Sequence, residues 1–179
     1  MDVCIKHIPL ISLGYLMLDV PQDVFGTVNQ EVQQMLDNNF ITNKNVNKSL
    51  YGAIEKEFSM SESFNVVEKF ATLVGRQYWQ FTREKNNFNK KHILNTLWVN
   101  FQKKYEFNPL HEHTQCDLSF VIWVKIPYCV ESEKNHPSIK NSNHFQDQTT
   151  AFSFCFADPY SKRGLSTEIL QIDKNYEGK

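Results

Sequence analysis

The amino-acid sequence predicts a single α+β domain over residues 1–179, with helices first and a predominantly antiparallel sheet after them. Apolar residues recur every four positions up to about residue 81 and every two positions beyond residue 94, a switch from a helical stripe to a strand face. Aromatic residues are also plentiful: 14 Phe, 7 Tyr and 3 Trp suit sheet faces and a lined pocket. A chain of 179 residues buries enough surface for one real core.

Residues 8–20 are largely apolar, but Pro9 and Gly14 interrupt them and the run is too short to span a bilayer. It reads as an early buried strand ending at Asp19, after which Pro21 marks a helix start. Val24, Val28, Val32 and Leu36 then form one stripe of a helix near 21–37. Asn and Lys dominate residues 38–48 and break the pattern. A second helix is predicted over 63–81, capped by Ser61 or Ser63 and burying Val67, Phe70, Val74 and Tyr78. Residues 94–101 alternate as a strand, and 118–126 form a β-rich apolar run closed by Pro127. Phe152, Phe154 and Phe156 alternate with small residues in a third strand ended by Asp158-Pro159, and 166–172 read as a fourth. Between the second and third strands lies a long polar loop, 131–150. No repeat or heptad is evident. The order of elements packs helices on one face of a β-sandwich.

The charge balance, 19 basic against 20 acidic residues, argues against a general nucleic-acid binder or a membrane-surface protein. Only three residues are Arg (Arg76, Arg83, Arg163), which leaves few forks for phosphate or carboxylate. Cys4, Cys116, Cys129 and Cys155 form no C-x-x-C pair. The expectation is reduced thiols in a cytoplasmic protein.

The segment Asn108-Pro109-Leu110-His111-Glu112-His113-Thr114 carries the chemistry. On an extended segment, residues i and i+2 project to one side, so His111 and His113 converge while Glu112 points away. Paired imidazoles suit iron, zinc, copper or nickel. The plainer reading is two ordinary histidines beside a Pro-bounded turn. A zinc reading adds Cys116 in an H-x-H-x-x-C chelate, with Cys129 or Cys155 as a fourth ligand.

Around that pair the sequence reads Trp98-Val99-Asn100, then His111-Glu112-His113, then Ser119-Phe120-Val121-Ile122-Trp123-Val124-Lys125-Ile126-Pro127. This resembles the phage and bacterial 2-oxoglutarate/Fe(II) oxygenases related to prolyl 4-hydroxylases, over nearly the whole chain. The resemblance implies a double-stranded β-helix (jelly-roll) core, with the N-terminal helices packed on one face. It also implies Fe(II), 2-oxoglutarate as cosubstrate, O₂, ascorbate as an accessory reductant, and hydroxylation of a C–H substrate. His111 and His113 become the metal ligands, with Glu112 the weaker candidate. Lys125 and Asn100 become candidates for cosubstrate binding, and Trp98 and Trp123 for pocket walls. Lys125 also reads as an edge-strand lysine that discourages pairing.

Three departures from the family pattern are visible. His113 stands where the family usually has a carboxylate. The family's distal His and the Arg that holds 2-oxoglutarate fall on strands expected beyond Lys179, so the chain reads as C-terminally truncated and weak in metal binding and turnover. His136 and His144 lie in the polar loop, and Arg163 in a turn that does not match. The alternative function is a non-catalytic jelly-roll used for binding or in a virion; with phage origin, the cytoplasm is that of a host cell.

Overall fold

The apolar stripe that opens at Val24 becomes helix α1, Gln22–Asp37, in the computed structural model. The structure describes residues 5–8, 14–82, 91–113, 115–142, 148–158, 160–162 and 164–179. The chain divides into two compact units, Pro21–Phe120 and Asp2–Val20 with Val121–Lys179. No helix among the described residues is long and apolar enough to cross a membrane.

In the first unit, α1 buries Val24, Val28 and Val32, as the stripe predicts, but then Met35 rather than Leu36. The reason is the helical period. Four residues overshoot one turn by about 40°, so a strict four-residue stripe rotates off the buried face and the next turn buries the residue three along. The second helix, α2, Phe64–Phe81, buries Val67 and Phe70 as expected and then Gly75 and Trp79, each one position beyond the residue that the stripe names. Val74 and Tyr78 are only half-buried there. α1 ends where Asn39 and Phe40 take left-handed backbone conformations (φ 48° and 62°), and the Phe40 N–H donates to the Met35 carbonyl at 2.9 Å.

Ser63 occupies the cap position of α2 as expected, yet its side chain makes no cap bond. The capping group is Glu31, from the middle of α1. Its carboxylate accepts from the N–H groups of Ser61 (2.8 Å), Glu62 (3.1 Å) and Ser63 (2.8 Å) and from the Ser63 hydroxyl (2.5 Å). The N–H groups of the turn leading into α2, including that of the cap residue, are thereby satisfied from another element.

A short ribbon follows, with β3, Glu57–Ser59, antiparallel to β4, Trp98–Asn100. The strand expected over 94–101 is thus shorter than its alternation. Its ladder continues through Met60 N–H to Leu97 O and Phe101 N–H to Lys56 O. On the other edge of β3, Val46 N–H donates to Glu57 O and Ser59 N–H to Lys44 O.

In the second unit, β1 (Ile5–Ile8) pairs antiparallel with β2 (Tyr15–Leu18), Ile5 opposite Leu18 and Ile8 opposite Tyr15. The single early strand expected over 8–20 is therefore the second arm of a hairpin, with residues 9–13 outside the described set. Gly14, at φ 76°, supplies the backbone conformation that admits the chain into β2. The Phe-rich pattern becomes β5, Ala151–Ala157, paired along its full length with β6, Leu165–Gln171. Phe152 and Phe154 pack edge to face, and Trp123 meets both Phe152 and Tyr176 in the same manner. Tyr15 stacks on Phe154 at 4.5 Å.

Residues 118–126 take no strand assignment. Trp123 instead bonds through its backbone to Gly178 and Lys179. The expected loop 131–150 contains two short helices, α3 (Val130–Lys134) and α4 (Pro137–Lys140). The described strands form three two-stranded antiparallel ribbons. These belong to a mixed α and β architecture, and the jelly roll stays an expectation drawn from the resemblance.

Candidate metal centre

Strand parity gives the β3–β4 ribbon two unlike faces. Phe58 pairs with Val99 on one of them, where Phe58 and Phe101 close around Phe40 in an aromatic cluster. The register sets Glu57 opposite Asn100 and Ser59 opposite Trp98, so these four share the other face. It is polar and yet covered. Glu57 is 1% exposed, and its Oε2 has no hydrogen-bond partner; Asn100 Oδ1 has none either. Such groups are rare in folded proteins because each carries an uncompensated desolvation cost.

The loop that carries the histidines is pinned beside this face. Ala53 N–H donates to the Phe107 carbonyl at 2.8 Å, tying residues 51–53 to the root of the loop. A Cβ on Gly52 would lie 2.5 Å from Asn108 Oδ1 and 2.9 Å from Glu57 Oε1. Close approach of two side chains, rather than backbone angle, is what favours glycine there. Next along, Tyr51 stacks at 6.0 Å on His111.

The His111 and His113 rings are neighbours, 5.0 Å apart and nearly perpendicular, and His113 lies 6.1 Å from the Trp98 indole. Residues 111–113 are not a strand; loop packing brings the rings together. His111 Nδ1 lies 2.7 Å from the Pro109 carbonyl. A carbonyl only accepts, so Nδ1 carries the proton, and the neutral tautomer this contact selects is the one with its lone pair on Nε2. Partial burial, and then the adjoining His111 ring, lower the His113 pKa, which favours the neutral imidazole a metal requires. Burial raises the Glu57 pKa, Glu106 raises it further, and His111 acts in the opposite direction.

The structure thus gathers His111, His113, Trp98 and Asn100 in the first unit, with Glu112 exposed. Lys125, exposed, and Trp123 belong to the second unit. So does His136, whose Nδ1 accepts from Ser138 N–H at the start of α4. His144 and Arg163 lie outside the described residues. Cys116 directs its thiol at the His113 carbonyl (3.7 Å), while Cys129 and Cys155 fall in the second unit. As the side chains stand, no three His, Cys, Asp or Glu among the described residues converge closely enough to hold a metal ion. The residue that sequence reasoning missed is Glu57. The alternation Glu57-Phe58-Ser59-Met60 was the available signal for a strand with one polar face. No family model, curated protein or solved structure matches this chain.

Proposed function

We propose that the chain is a jelly-roll oxygenase of the 2-oxoglutarate/Fe(II) type, acting on a C–H substrate, with His111 and His113 as metal ligands. The observation that supports it is the pairing of the two imidazoles beside Trp98, next to the face that carries Asn100. Both rings have the chemistry the metal needs: His111 offers Nε2 with its tautomer fixed by Pro109, and His113 is held toward its neutral form. When bound, Fe(II) supplies the activation of dioxygen, with 2-oxoglutarate as reductant. Trp98 stands beside His113, and the Asn100 carboxamide has an oxygen to spare for a donor on an incoming ligand. The site of action, on this reading, is the cytoplasm.

The test is Mn(II) binding by calorimetry under anoxia, with and without 2-oxoglutarate. The expected result is saturable binding that His111→Ala or His113→Ala removes and that 2-oxoglutarate tightens, since two ligands sharing one site are thermodynamically linked. Binding indifferent to both substitutions, or to 2-oxoglutarate, would overturn the oxygenase reading. A chain that binds neither metal nor 2-oxoglutarate would be the non-catalytic module instead.

A further inference from the structure

We infer that Glu57 and Asn100 form a proton-held latch across the β3–β4 ribbon, in which the Glu57 carboxyl keeps its proton and donates it to the Asn100 carboxamide oxygen.

The register makes the two side chains neighbours. Phe101 N–H donates to the Lys56 carbonyl and Met60 N–H to the Leu97 carbonyl, which makes both of these cross-strand pairs hydrogen-bonded ones. Bonded and non-bonded pairs alternate along an antiparallel ladder. Glu57 and Asn100, directly opposite each other, are therefore a non-bonded pair, the kind that brings side chains closest. The backbone agrees, since the Glu57 carbonyl turns to the other edge of β3 and accepts from Val46 N–H.

Both side chains end in a buried oxygen without a partner, Glu57 Oε2 and Asn100 Oδ1. A carboxylate oxygen and a carboxamide oxygen only accept, so an ionised Glu57 has nothing to offer Asn100 through this pair of atoms. One proton removes both deficits. A neutral carboxyl donates its O–H to the carboxamide oxygen, which keeps a second lone pair for another donor.

The surroundings favour the neutral form. Glu57 is 1% exposed, and the side chains of Asn108 and Gly52's neighbourhood around Oε1 bring no charge. Burial first, and then Glu106 from the turn after β4, push the Glu57 pKa up, while His111 acts against them. Glu106 is anchored as an acceptor by the N–H groups of Glu55 and Lys103. The cations of the same segments are turned elsewhere: Lys103 pairs with Glu55, and Lys56 lies over the Phe40 ring on the apolar face. As pH rises from the range of a free carboxyl through the raised folded value, the unfolded chain releases this proton before the folded one does. The latch is thus closed in acid and released as pH rises, opposite in sign to the Glu31 carboxylate, whose pKa is lowered.

The experiment is a ¹³C NMR pH titration of the glutamate side-chain carboxyls, in metal-free wild type and in Asn100→Leu, beside urea unfolding of wild type and Glu57→Gln over the same pH range. The Glu57 resonance is assigned by its loss in Glu57→Gln or, should that variant not fold, by through-bond correlation to its own amide. In wild type its midpoint is expected above those of the exposed glutamates. In Asn100→Leu the midpoint should fall, because the neutral carboxyl loses its acceptor while the site stays apolar. Glu57→Gln, which cannot ionise, should gain on wild type by up to about tenfold in the folding constant per pH unit, and stay level above the midpoint. A wild-type midpoint among or below those of the exposed glutamates overturns the latch. So does a midpoint that rises in Asn100→Leu, which would make Asn100 Nδ2 a donor to a charged Glu57, and so does a Glu57→Gln stability difference that does not change with pH.

Discussion

Replacing Glu31 with alanine removes one acceptor group and strands four donors at the start of α2. Ser61 and Glu62 are exposed, so their N–H groups regain water; Ser63 is 0% exposed, so its N–H and hydroxyl do not. Each hydrogen bond to a charged acceptor is worth about 1.5–3 kcal/mol when the partner is lost from a buried site. Counting the two Ser63 bonds in full and the two wet ones slightly, Glu31→Ala should cost roughly 3–5 kcal/mol. Glu31→Gln keeps one acceptor oxygen and should lose about 1–2 kcal/mol. The pH dependence has a fixed sign. Burial alone would raise the Glu31 pKa, but the hydrogen bonds from Ser63, Ser61 and Glu62 outweigh it, and the net direction is downward. A carboxyl whose folded pKa lies below its unfolded value gives stability that is complete above the unfolded value and lost as pH falls through the folded one. The gap between wild type and Glu31→Ala should therefore be widest near neutrality and shrink in acid. Urea unfolding followed by far-ultraviolet circular dichroism, repeated across that pH range, measures it. A loss below about 1 kcal/mol, smaller than a single buried charged hydrogen bond, or a gap that does not shrink in acid, would refute the capping argument.

Val67 is fully buried in α2, and Val67→Ala should destabilise by about 1.5–3 kcal/mol in the same urea assay, from lost transfer energy and the cavity left behind. Gly52→Ala brings a methyl against the side-chain ends of Asn108 and Glu57 and should cost about 1–3 kcal/mol in the same assay; unchanged stability would mean that the two side chains move aside freely. Lys103→Met breaks the 2.6 Å pair with Glu55, but both partners are exposed, so thermal melting should show no resolvable change at physiological salt.

Periodicity made the helices legible, and its own arithmetic explains the slip at the end of α1. The four-residue stripe located α1 and α2 to within a residue at each end, yet named Leu36 and Tyr78 where Met35 and Trp79 are buried. Strand reading succeeded where alternation and pairing coincide, as in Ala151–Ala157. It failed over 118–126, because a β-rich apolar run says that side chains suit a sheet and nothing about whether a neighbouring backbone stands ready to pair. In the site, His111 and His113 were legible because two ligand-type residues sit close together in sequence. Glu57 was not, because nothing local distinguishes a glutamate bound for burial from one bound for solvent.

The two buried glutamates of the first unit show what does distinguish them. Glu31 and Glu57 are 4% and 1% exposed, so burial cannot separate their roles. Hydrogen bonding can. Glu31 receives four donors, its pKa moves down, and the charge is consumed in holding two helices together. Glu57 keeps an oxygen without a partner, and burial, with Glu106, moves its pKa up. A sequence that satisfies one buried carboxylate so fully has the means to satisfy another, and Asn100 directly opposite is the natural donor. Instead the Asn100 oxygen is also left bare on the same face. The Glu57 and Asn100 oxygens without partners thus share one face of β3 and β4, while the Glu31 carboxylate of the same unit is saturated with donors.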